Sequence, residues 1–346
     1  MRIAHVVERN APTGQAWRLA AAIGKTRWLD LEVARRRLVR LDPELAHDEA
    51  VARQPITTLD DHLASRFRVA DLRMLVAPWP LDEAGLDALD AEDDDLLLRG
   101  ADLRFGPPVL APRSLRDFYA FEGHVRTIWA RRGQEIPEVW HRLPIFYFSN
   151  VSEIRGPGEP VWAPRGSSEL DFELEVAALV DVCARDLDAG HAEEAIGGYM
   201  ILNDWSARDL QREETTVRLG PAKGKDFAST IGPWLVTPDE LADLRTAGAA
   251  GPDLEMTATV NGVEISRGRW CDARFSFGQM LERASADATV VPGDLVGSGT
   301  VGTGCLLEVR DSTLGRYLLP GDDVVLHIDR LGELRTPIIE RLERPR

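Results

Sequence analysis

Residues 169–175 read Glu-Leu-Asp-Phe-Glu-Leu-Glu, and they run directly into the apolar stretch Val-Ala-Ala-Leu-Val at 176–180. Acidic and apolar residues alternate in the first of these stretches. This alternation predicts a β-strand, because successive side chains of a strand point to opposite faces of its sheet. Asp171, Glu173 and Glu175 would share one face, and the apolar residues between them would share the other.

Three carboxylates crowded on one strand face have two interpretations. Neighbouring carboxylates repel one another unless protons or a cation lie between them. The apolar run at 176–180 predicts a buried strand, and a hard divalent cation would suit such a face because Mg²⁺ and Ca²⁺ take oxygen ligands. The alternative is an edge strand whose acidic face lies in solvent. The spacing by itself does not decide between the two.

The composition is that of an ordinary soluble globular protein, with 346 residues, 44% hydrophobic and 28% charged. This length allows one large domain with a good core and a smaller one. The formal net charge of -16 argues against a nucleic-acid surface, which needs clustered Lys and Arg, and against anionic membranes. It leaves room for a small anionic substrate, because a local cluster of cations can still create a positive pocket.

The three cysteines predict a reducing compartment. Cys183, Cys271 and Cys305 lie far apart and form no Cys-x-x-Cys pair, so the spacing predicts neither a disulfide framework nor a zinc site. The N-terminal stretch Met-Arg-Ile-Ala-His-Val-Val-Glu meets a charge too soon for the apolar core of a signal peptide. No uncharged apolar stretch approaches the length of a membrane span. We therefore predict a cytoplasmic protein.

The residue pattern of the chain changes near residue 105. This change predicts two domains, at 1–105 and 106–346. The first contains a strongly basic run at 35–40 and an acidic run at 82–95 with helical spacing of its leucines. After the Gly-Pro-Pro at 106–108 the pattern changes to short β-type runs separated by Gly and Pro. They include strands at 173–180, 256–260 and 324–328, and the Asn-Gly pair at 261–262 predicts a hairpin.

A further acidic residue, Asp204, ends the strand predicted at 198–204. Residues 205–211 then have the pattern of a helix, which Asn203 or Asp204 would cap. Asp204, Arg208 and Gln211 follow i, i+4, i+7 spacing and would face one side. They are either an ordinary cap with surface residues, or a third metal carboxylate with two side chains directed at a ligand.

Two glycine-containing segments do not support nucleotide binding. Residues 220–234 lack the Gly-x-x-x-x-Gly-Lys-Ser/Thr pattern, and Lys225 within them is either solvated or aimed at a carboxylate or a developing enolate. Residues 297–302 satisfy Gly-x-Gly-x-x-Gly, but residues 305–309 have the pattern of a strand rather than a helix. We predict no nucleotide cofactor. These glycines would instead let backbone amides approach a ligand closely.

One histidine, His124, stands close to several polar side chains in sequence. Asp117, Tyr119 and Glu122 precede it within eight residues. Histidine is the usual general base near neutral pH, although a single histidine is more often structural or exposed.

These segments together resemble the fumarylacetoacetate hydrolase family over about residues 105–330. The order and spacing of five motifs carry the resemblance: Asp117-Phe-Tyr119 with His124, Leu170-Asp-Phe-Glu-Leu-Glu175, Asn203-Asp-Trp-Ser-Ala-Arg-Asp-Leu-Gln211, Gly224-Lys225 with Thr230-Ile-Gly-Pro-Trp234, and Gly297-Ser-Gly-Thr300. The resemblance implies an α+β, β-rich fold, with a mixed β-roll/β-sandwich catalytic domain beside a small N-terminal α/β domain. It also implies a homodimer with one divalent cation per subunit, Mg²⁺ first and Mn²⁺ or Ca²⁺ as alternatives.

The resemblance also assigns roles to residues that match the family's motifs. The metal carboxylates would be Asp117, Glu173, Glu175 and Asp204, with Lys225 and Thr230 just behind them. His124 would be the general base and Glu308 would orient it, while Lys225 would stabilise an enolate. Positions that match substrate contacts are Tyr119, Tyr147, Arg208, Gln211 and Thr300.

The activity implied is that of a hydrolase acting on carbon–carbon bonds in ketonic substances, which cleaves a 2,4-dioxo acid or acylpyruvate. Alternatives on the same site are a 2-oxo acid decarboxylase, a hydratase or isomerase, and a sugar-acid dehydratase. A further alternative is a metal- or metabolite-binding protein without catalysis. Within the family, the diketo-acid hydrolases of the pathway type (the pathway enzymes below) carry a substrate-binding tyrosine where this chain has Thr215. The chain also has Gly133 at their carboxylate-binding arginine, unless the alignment shifts by one residue.

Overall fold

A mixed β-sheet extends through both parts of the chain in the computed structural model, which describes residues 1–47, 55–92 and 95–341. The strands, in chain order, are β1 Arg2–Glu8, β2 Arg18–Ile23, β3 Arg27–Asp30, β4 Leu97–Arg99, β5 Leu103–Phe105, β6 Ser114–Phe118, β7 Phe146–Ser149, β8 Ile154–Arg155, β9 Leu170–Asp171, β10 Leu174–Val180, β11 Ile196–Asp204, β12 Ser206–Ala207, β13 Ser229–Val236, β14 Glu255–Val260, β15 Val263–Arg269, β16 Asp294–Gly297, β17 Asp323–Ile328 and β18 Gly332–Pro337.

The large sheet has the order β4-β3-β2-β1-β13-β11-β10-β16-β6-β7, with β5 paired to β1 and β8 paired to β13. Most neighbours are antiparallel, but β6 runs parallel to β16 and β8 runs parallel to β13. Strands β15-β14-β17-β18 form a second sheet, and β9 pairs with β12. The predicted α+β, β-rich fold class is confirmed.

The helices are fewer than the strands in the described part of the chain. They are α1 Leu31–Leu41, α2 Leu59–Ala64, α3 Arg73–Val76, α4 Glu83–Glu92, α5 Glu122–Arg131, α6 Arg208–Glu214, α7 Phe277–Ser285 and α8 Leu306–Val309. Helix α4 occupies the acidic run whose leucine spacing predicted it. Within residues 1–47, 55–92 and 95–341, none of the helices has the length and apolar character that crossing a bilayer requires.

Strand β10 is covered on both faces, which explains the consecutive apolar residues of its sequence. Val176 and Val180 lie in a hydrophobic cluster that includes Leu326 of the second sheet. Leu179, which points the other way, lies in a cluster with Leu59 of α2. A strand buried on both sides has no solvent face, so its sequence is apolar at successive positions.

The predicted hairpin at 261–262 is confirmed. Strands β14 and β15 pair antiparallel, and the two residues between them are Asn261 and Gly262. Both have positive φ, 54° and 77°, which is the combination that a two-residue type I′ turn requires. Strand β17 likewise covers the strand predicted at 324–328.

The first 105 residues share both a sheet and a core with the rest of the chain. Strand β1 pairs with β13 through Arg2 opposite Val236 and Ile3 opposite Leu235. Helices α1, α2 and α4 contribute to the cluster that covers one face of β10. That residues 1–105 form a domain of their own stays a prediction.

A buried histidine connects this N-terminal part to the segment that follows it. His5 of β1 is fully buried, its Nδ1 donates to the carbonyl of Pro107 at 2.9 Å, and its Nε2 accepts from the amide of Leu59 at 3.0 Å. Because Nε2 accepts, the imidazole must be neutral. Burial lowers the pKa of His5, although Asp60 and Asp61 act in the opposite direction.

This arrangement predicts a loss of stability on the acid side. The folded-state pKa of His5 lies below the unfolded value of about 6.5. The unfolded chain therefore binds more protons as the pH falls below about 6.5, and the free energy of unfolding decreases from there. We expect His5→Gln to be less stable at pH 7 by about 1–3 kcal/mol and to lose less stability between pH 7 and 5. Urea unfolding midpoints measure both effects.

The exposed His191 provides the control. His191→Gln should retain the acid-side loss, because Asp188 raises the pKa of the exposed His191, whereas burial lowers that of His5. Equal pH dependence in the wild type and His5→Gln would contradict the prediction.

Candidate active site

Three carboxylates from three strands of the large sheet converge at one point. Asp117 lies in β6, Glu175 in β10 and Asp204 at the end of β11, and all three are buried. One oxygen of each lies within 4.8 Å of an oxygen of the other two. Gly297 makes room for this, because a Cβ there would lie 2.4 Å from Asp117 Oδ1. The hypothesis of a solvated acidic edge is therefore wrong for this strand.

The electrostatics of this carboxylate cluster fit a cation. Burial, followed by the repulsion of Asp204, raises the pKa of Asp117 well above its ordinary value, and burial with the repulsion of Asp117 does the same for Glu175. Oδ1 of Asp117 and Oδ1 of Asp204 are buried without a hydrogen-bond partner among the described residues. Buried acceptors that lack donors, in a set made only of carboxylate oxygens, suit a hard divalent ion.

Glu173 lies beside the carboxylate cluster and has cationic partners of its own. Its Oε2 accepts from Lys225 Nζ, and its Oε1 lies 2.8 Å from Arg208 Nη2. Burial alone would raise its pKa, but Lys225 and Arg208 hold the pKa of Glu173 at about 2. Glu173 is therefore ionised and paired, unlike Asp117 and Glu175.

The predicted uninterrupted strand at 169–175 is wrong, and so is the shared acidic face. Strand β9 ends at Asp171, and β10 begins at Leu174. Asp171 turns away from the carboxylate cluster: its Oδ1 accepts from the amide of Leu306 at 2.7 Å, and its Oδ2 accepts from Arg208 Nε at 2.8 Å. Pairing of β9 with β12 breaks the alternation at this point.

The predicted start of the helix at 205–211, capped by Asn203 or Asp204, is also wrong. Ser206 and Ala207 form β12, and helix α6 begins at Arg208. Asn203 instead accepts the amide of Glu173 at 3.0 Å. Long-range pairing with β9 overrides the local helical pattern.

Asp204 is oriented by two donors on one of its oxygens. Its Oδ2 accepts from both Lys225 Nζ and the hydroxyl of Tyr147, which leaves Oδ1 directed at the carboxylate cluster. Lys225 stays charged, because the attraction of Asp204 and Glu173 outweighs burial and raises its pKa. Thr230 pairs with Asn203 in the sheet and accepts the indole N–H of Trp205 at 2.8 Å.

His124 and Glu308 form a pair across 184 residues of sequence. His124 Nδ1 lies 2.5 Å from Glu308 Oε1, and both side chains are buried. Because the carboxylate accepts the Nδ1 proton, Nε2 keeps its lone pair and can accept a proton. Glu308 lies in helix α8, so the strand predicted at 305–309 is wrong; Asp171 receives the first amides of this helix.

A cavity of about 690 Å³ connects the two groups. Ten of the site residues predicted from the sequence line this cavity: Asp117, Tyr119, His124, Tyr147, Glu173, Glu175, Arg208, Gln211, Lys225 and Thr300. Thr300 Oγ1 donates to Glu175 at 3.3 Å, and Arg208 Nη1 donates to Gln211 at 3.1 Å. Gly299 donates its amide to Glu175 at 3.1 Å, so the glycine segment contacts a carboxylate.

The apolar wall of this cavity was not predicted from the sequence. Ile128, Trp129 and Ile145 line it, together with Arg131 and Arg132. The spacing of α5 could have revealed part of this wall, because positions four and seven after a cavity-facing histidine share its helix face. Thr215 also lines the cavity, at the position where the pathway enzymes carry a tyrosine.

The buried carboxylates and the histidine–glutamate pair lie together at one cavity, which is the arrangement expected of an active site for a small molecule. Residues 114–339 match the family model described as the C-terminal domain of fumarylacetoacetate (FAA) hydrolase. The chain therefore belongs to the fumarylacetoacetate hydrolase family.

Its relatives include enzymes of different names. A 2,4-didehydro-3-deoxy-L-rhamnonate hydrolase from Sphingomonas sp. (strain SKA58) is 32% identical over 57% of this chain and 65% of its own length. A fumarylacetoacetase from Oryza sativa subsp. japonica is 29% identical over 63% of this chain and 64% of its own. The chain thus matches less than two thirds of each. A solved 5-carboxymethyl-2-hydroxymuconate delta-isomerase from Mycobacterium smegmatis has the same fold, with a TM-score of 0.62, 22% identity and coverage of 99% and 100%.

Proposed function

We propose that the protein is a metal-dependent hydrolase that cleaves a carbon–carbon bond of a 2,4-dioxo acid or acylpyruvate. One observation carries the proposal: the His124–Glu308 pair, at 2.5 Å, borders the same cavity as the carboxylate cluster. A base that can activate water and a site that can hold a cation thus share one substrate space. Hydrolysis of an acylpyruvate needs both.

The residues of the carboxylate cluster would hold the cation, with Glu173, Lys225 and Thr230 in support. We propose one divalent cation per subunit, Mg²⁺ first and Mn²⁺ or Ca²⁺ as alternatives, because the donors are hard oxygens. When bound, such an ion supplies Lewis-acid polarisation of carbonyl oxygens. A homodimer in the cytoplasm is part of the same proposal.

The chain's own residues perform the proton chemistry. Glu308 holds the Nδ1 proton of His124, so Nε2 takes a proton from water as the water oxygen attacks the acyl carbonyl carbon. The bond between that carbon and the neighbouring methylene then breaks, and its electron pair stays on the methylene as an enolate. The proton held by His124 returns to this carbon. The products are a carboxylic acid and a 2-oxo acid, with one water consumed.

Lys225 would stabilise the negative charge that develops on the enolate. Its ammonium group lines the cavity and is fixed between Glu173 and Asp204. A charge that is already oriented requires no reorganisation during the reaction, which is the source of such stabilisation. Because its pKa is raised, Lys225 acts as a cation and not as a base.

The substrate would place its polar end at the carboxylate cluster and its acyl group against the apolar wall. Tyr119, Arg208, Gln211 and Thr300 would contact the polar end. The small Thr215 in place of a tyrosine leaves more room than the pathway enzymes have. We therefore propose a substrate other than fumarylacetoacetate itself.

The test is product analysis with isotopically labelled water. We expect a panel of acylpyruvates, with Mg²⁺ or Mn²⁺, to yield two fragments and one labelled oxygen in the new carboxylic acid. Loss of carbon dioxide would instead indicate a decarboxylase, and loss of water a dehydratase. Gain of water without cleavage would indicate a hydratase, and an unchanged mass an isomerase. No turnover of any acylpyruvate would contradict the proposal and favour a binding protein.

A further inference from the structure

A second group of potential metal ligands includes His124 and is separate from the carboxylate cluster. Cys305, His124 and Glu308 each offer one ligand atom, and these atoms lie within 4.8 Å of one another. Cys305 is completely buried, and its thiol lies 3.7 Å from Glu308 Oε1. The sequence predicted no zinc site, because the spacing of the cysteines shows no paired motif and these three ligands meet only in the fold.

We propose that Cys305, His124 and Glu308 form an inhibitory zinc site. Sulfur, imidazole nitrogen and carboxylate oxygen are the ligands that Zn²⁺ combines, whereas Mg²⁺ prefers oxygen alone. The two cation sites of the protein would thus be selective for different ions. Inhibition by zinc rests on the proposed function, whereas the binding of zinc does not.

The geometry needs a small adjustment. Tetrahedral Zn²⁺, with bonds of about 2.0 Å to N and O and 2.3 Å to S, separates its ligands by roughly 3.3–3.6 Å. The thiol and Glu308 already lie 3.7 Å apart. The 2.5 Å between His124 and Glu308 must open by about 1 Å, because the ion would replace the proton between them.

The charge balance also favours the ion. Binding releases the thiol proton, and the imidazole proton moves from Nδ1 to Nε2. A thiolate, a carboxylate, a neutral imidazole and Zn²⁺ together carry no net charge, which suits a buried position. Burial raises the pKa of the Cys305 thiol well above its ordinary value, and the positive charge of Arg208 opposes this shift. The second oxygen of Glu308 accepts from the amide of Thr303 at 3.2 Å, which holds this ligand in place.

Occupation of this site would stop the reaction without filling the cavity. With Nδ1 on the metal, Nε2 carries the remaining proton and can no longer accept one from water. Zinc would therefore lower kcat while the carboxylate cluster remains free to hold Mg²⁺.

The experiment uses the full chain with saturating Mg²⁺ and compares Cys305→Ser with Cys183→Ser. Serine keeps a hydroxyl donor for Glu308 but is a poor zinc ligand, and Cys183 is an exposed cysteine elsewhere. Calorimetry measures zinc affinity, and Co²⁺ reports the thiolate bond through its charge-transfer absorption. We expect the cobalt band in the wild type and Cys183→Ser only. Cys305→Ser should bind zinc at least about tenfold more weakly and resist zinc inhibition.

Two results would overturn the inference. The first is a wild type without the cobalt–thiolate band, which needs no variant to observe. The second is zinc binding that is unchanged in Cys305→Ser, or inhibition that excess Mg²⁺ relieves, since zinc would then act at the carboxylate cluster. Binding and absorption need no substrate, so a failure of the proposed hydrolase activity would remain distinguishable from a failure of the zinc site.

Discussion

Replacement of His124 by asparagine is expected to lower kcat for acylpyruvate hydrolysis by about 100- to 10,000-fold, the contribution of a positioned general base. Asparagine can still hydrogen-bond to Glu308, so the buried carboxylate would keep a donor. It cannot accept a proton from water. The decrease should appear in kcat more than in KM, because the base acts on the reacting water and not on substrate binding. Steady-state kinetics with saturating Mg²⁺ measure it.

Two further variants sharpen this result. His191→Asn, at an exposed histidine, should retain wild-type kinetics. Glu308→Gln keeps an oxygen that can accept the Nδ1 proton but removes the charge that stabilises the imidazolium, so its kcat should lie between the wild type and His124→Asn. If kcat of His124→Asn stays within a few-fold of the wild type, another group activates the water.

Asp117→Asn is expected to weaken cation binding without lowering the stability of the apo protein. Burial and repulsion among the carboxylates raise the pKa of both Asp117 and Glu175, so the apo site needs a proton between these two groups. An asparagine amide can replace that proton permanently. We expect the apo variant to unfold at the wild-type temperature or above it. The wild type should gain about 2.7 kcal/mol at a Mg²⁺ concentration 100-fold above its Kd, and the variant less than half of this.

Thermal unfolding with chelator and with Mg²⁺ provides the measurement. Asp243→Asn is the matched control, because Asp243 forms an exposed ion pair with Arg330 far from the cavity. It should show the full Mg²⁺-dependent gain. An equal gain in Asp117→Asn and the wild type would mean that the carboxylate cluster is not the cation site.

The sequence predicted those elements whose pattern is local. The Asn261-Gly262 hairpin follows from turn residues that tolerate positive φ, and helix α4 follows from leucine spacing. The prediction failed at β9, β12 and α8, where short segments take their conformation from distant partners. Asp171 shows the cause: it binds Arg208 on one side and the first amides of α8 on the other.

The same distinction applies to the active site. The motifs and the family resemblance identified acids, a base and a lysine. In the structure, all of these lie near the cavity or directly behind it. They did not separate Glu173 from Glu175, which stand two positions apart with similar surroundings in sequence. In the fold, Lys225 and Arg208 neutralise Glu173, while Glu175 faces Asp117.

The sequence by itself therefore determined part of the chemical inventory of this protein: a buried apolar strand, a candidate base and, through the five motifs of the resemblance, an enzyme family with a β-rich fold. These depend on residue type and short spacing, which are local properties. Only the tertiary structure decided which carboxylates face one another, which are paired with cations, and that Cys305 lies beside His124. Those relations depend on strand order and on contacts between residues 21 to 184 positions apart. The local pattern of a chain does not encode which distant side chain will become its neighbour.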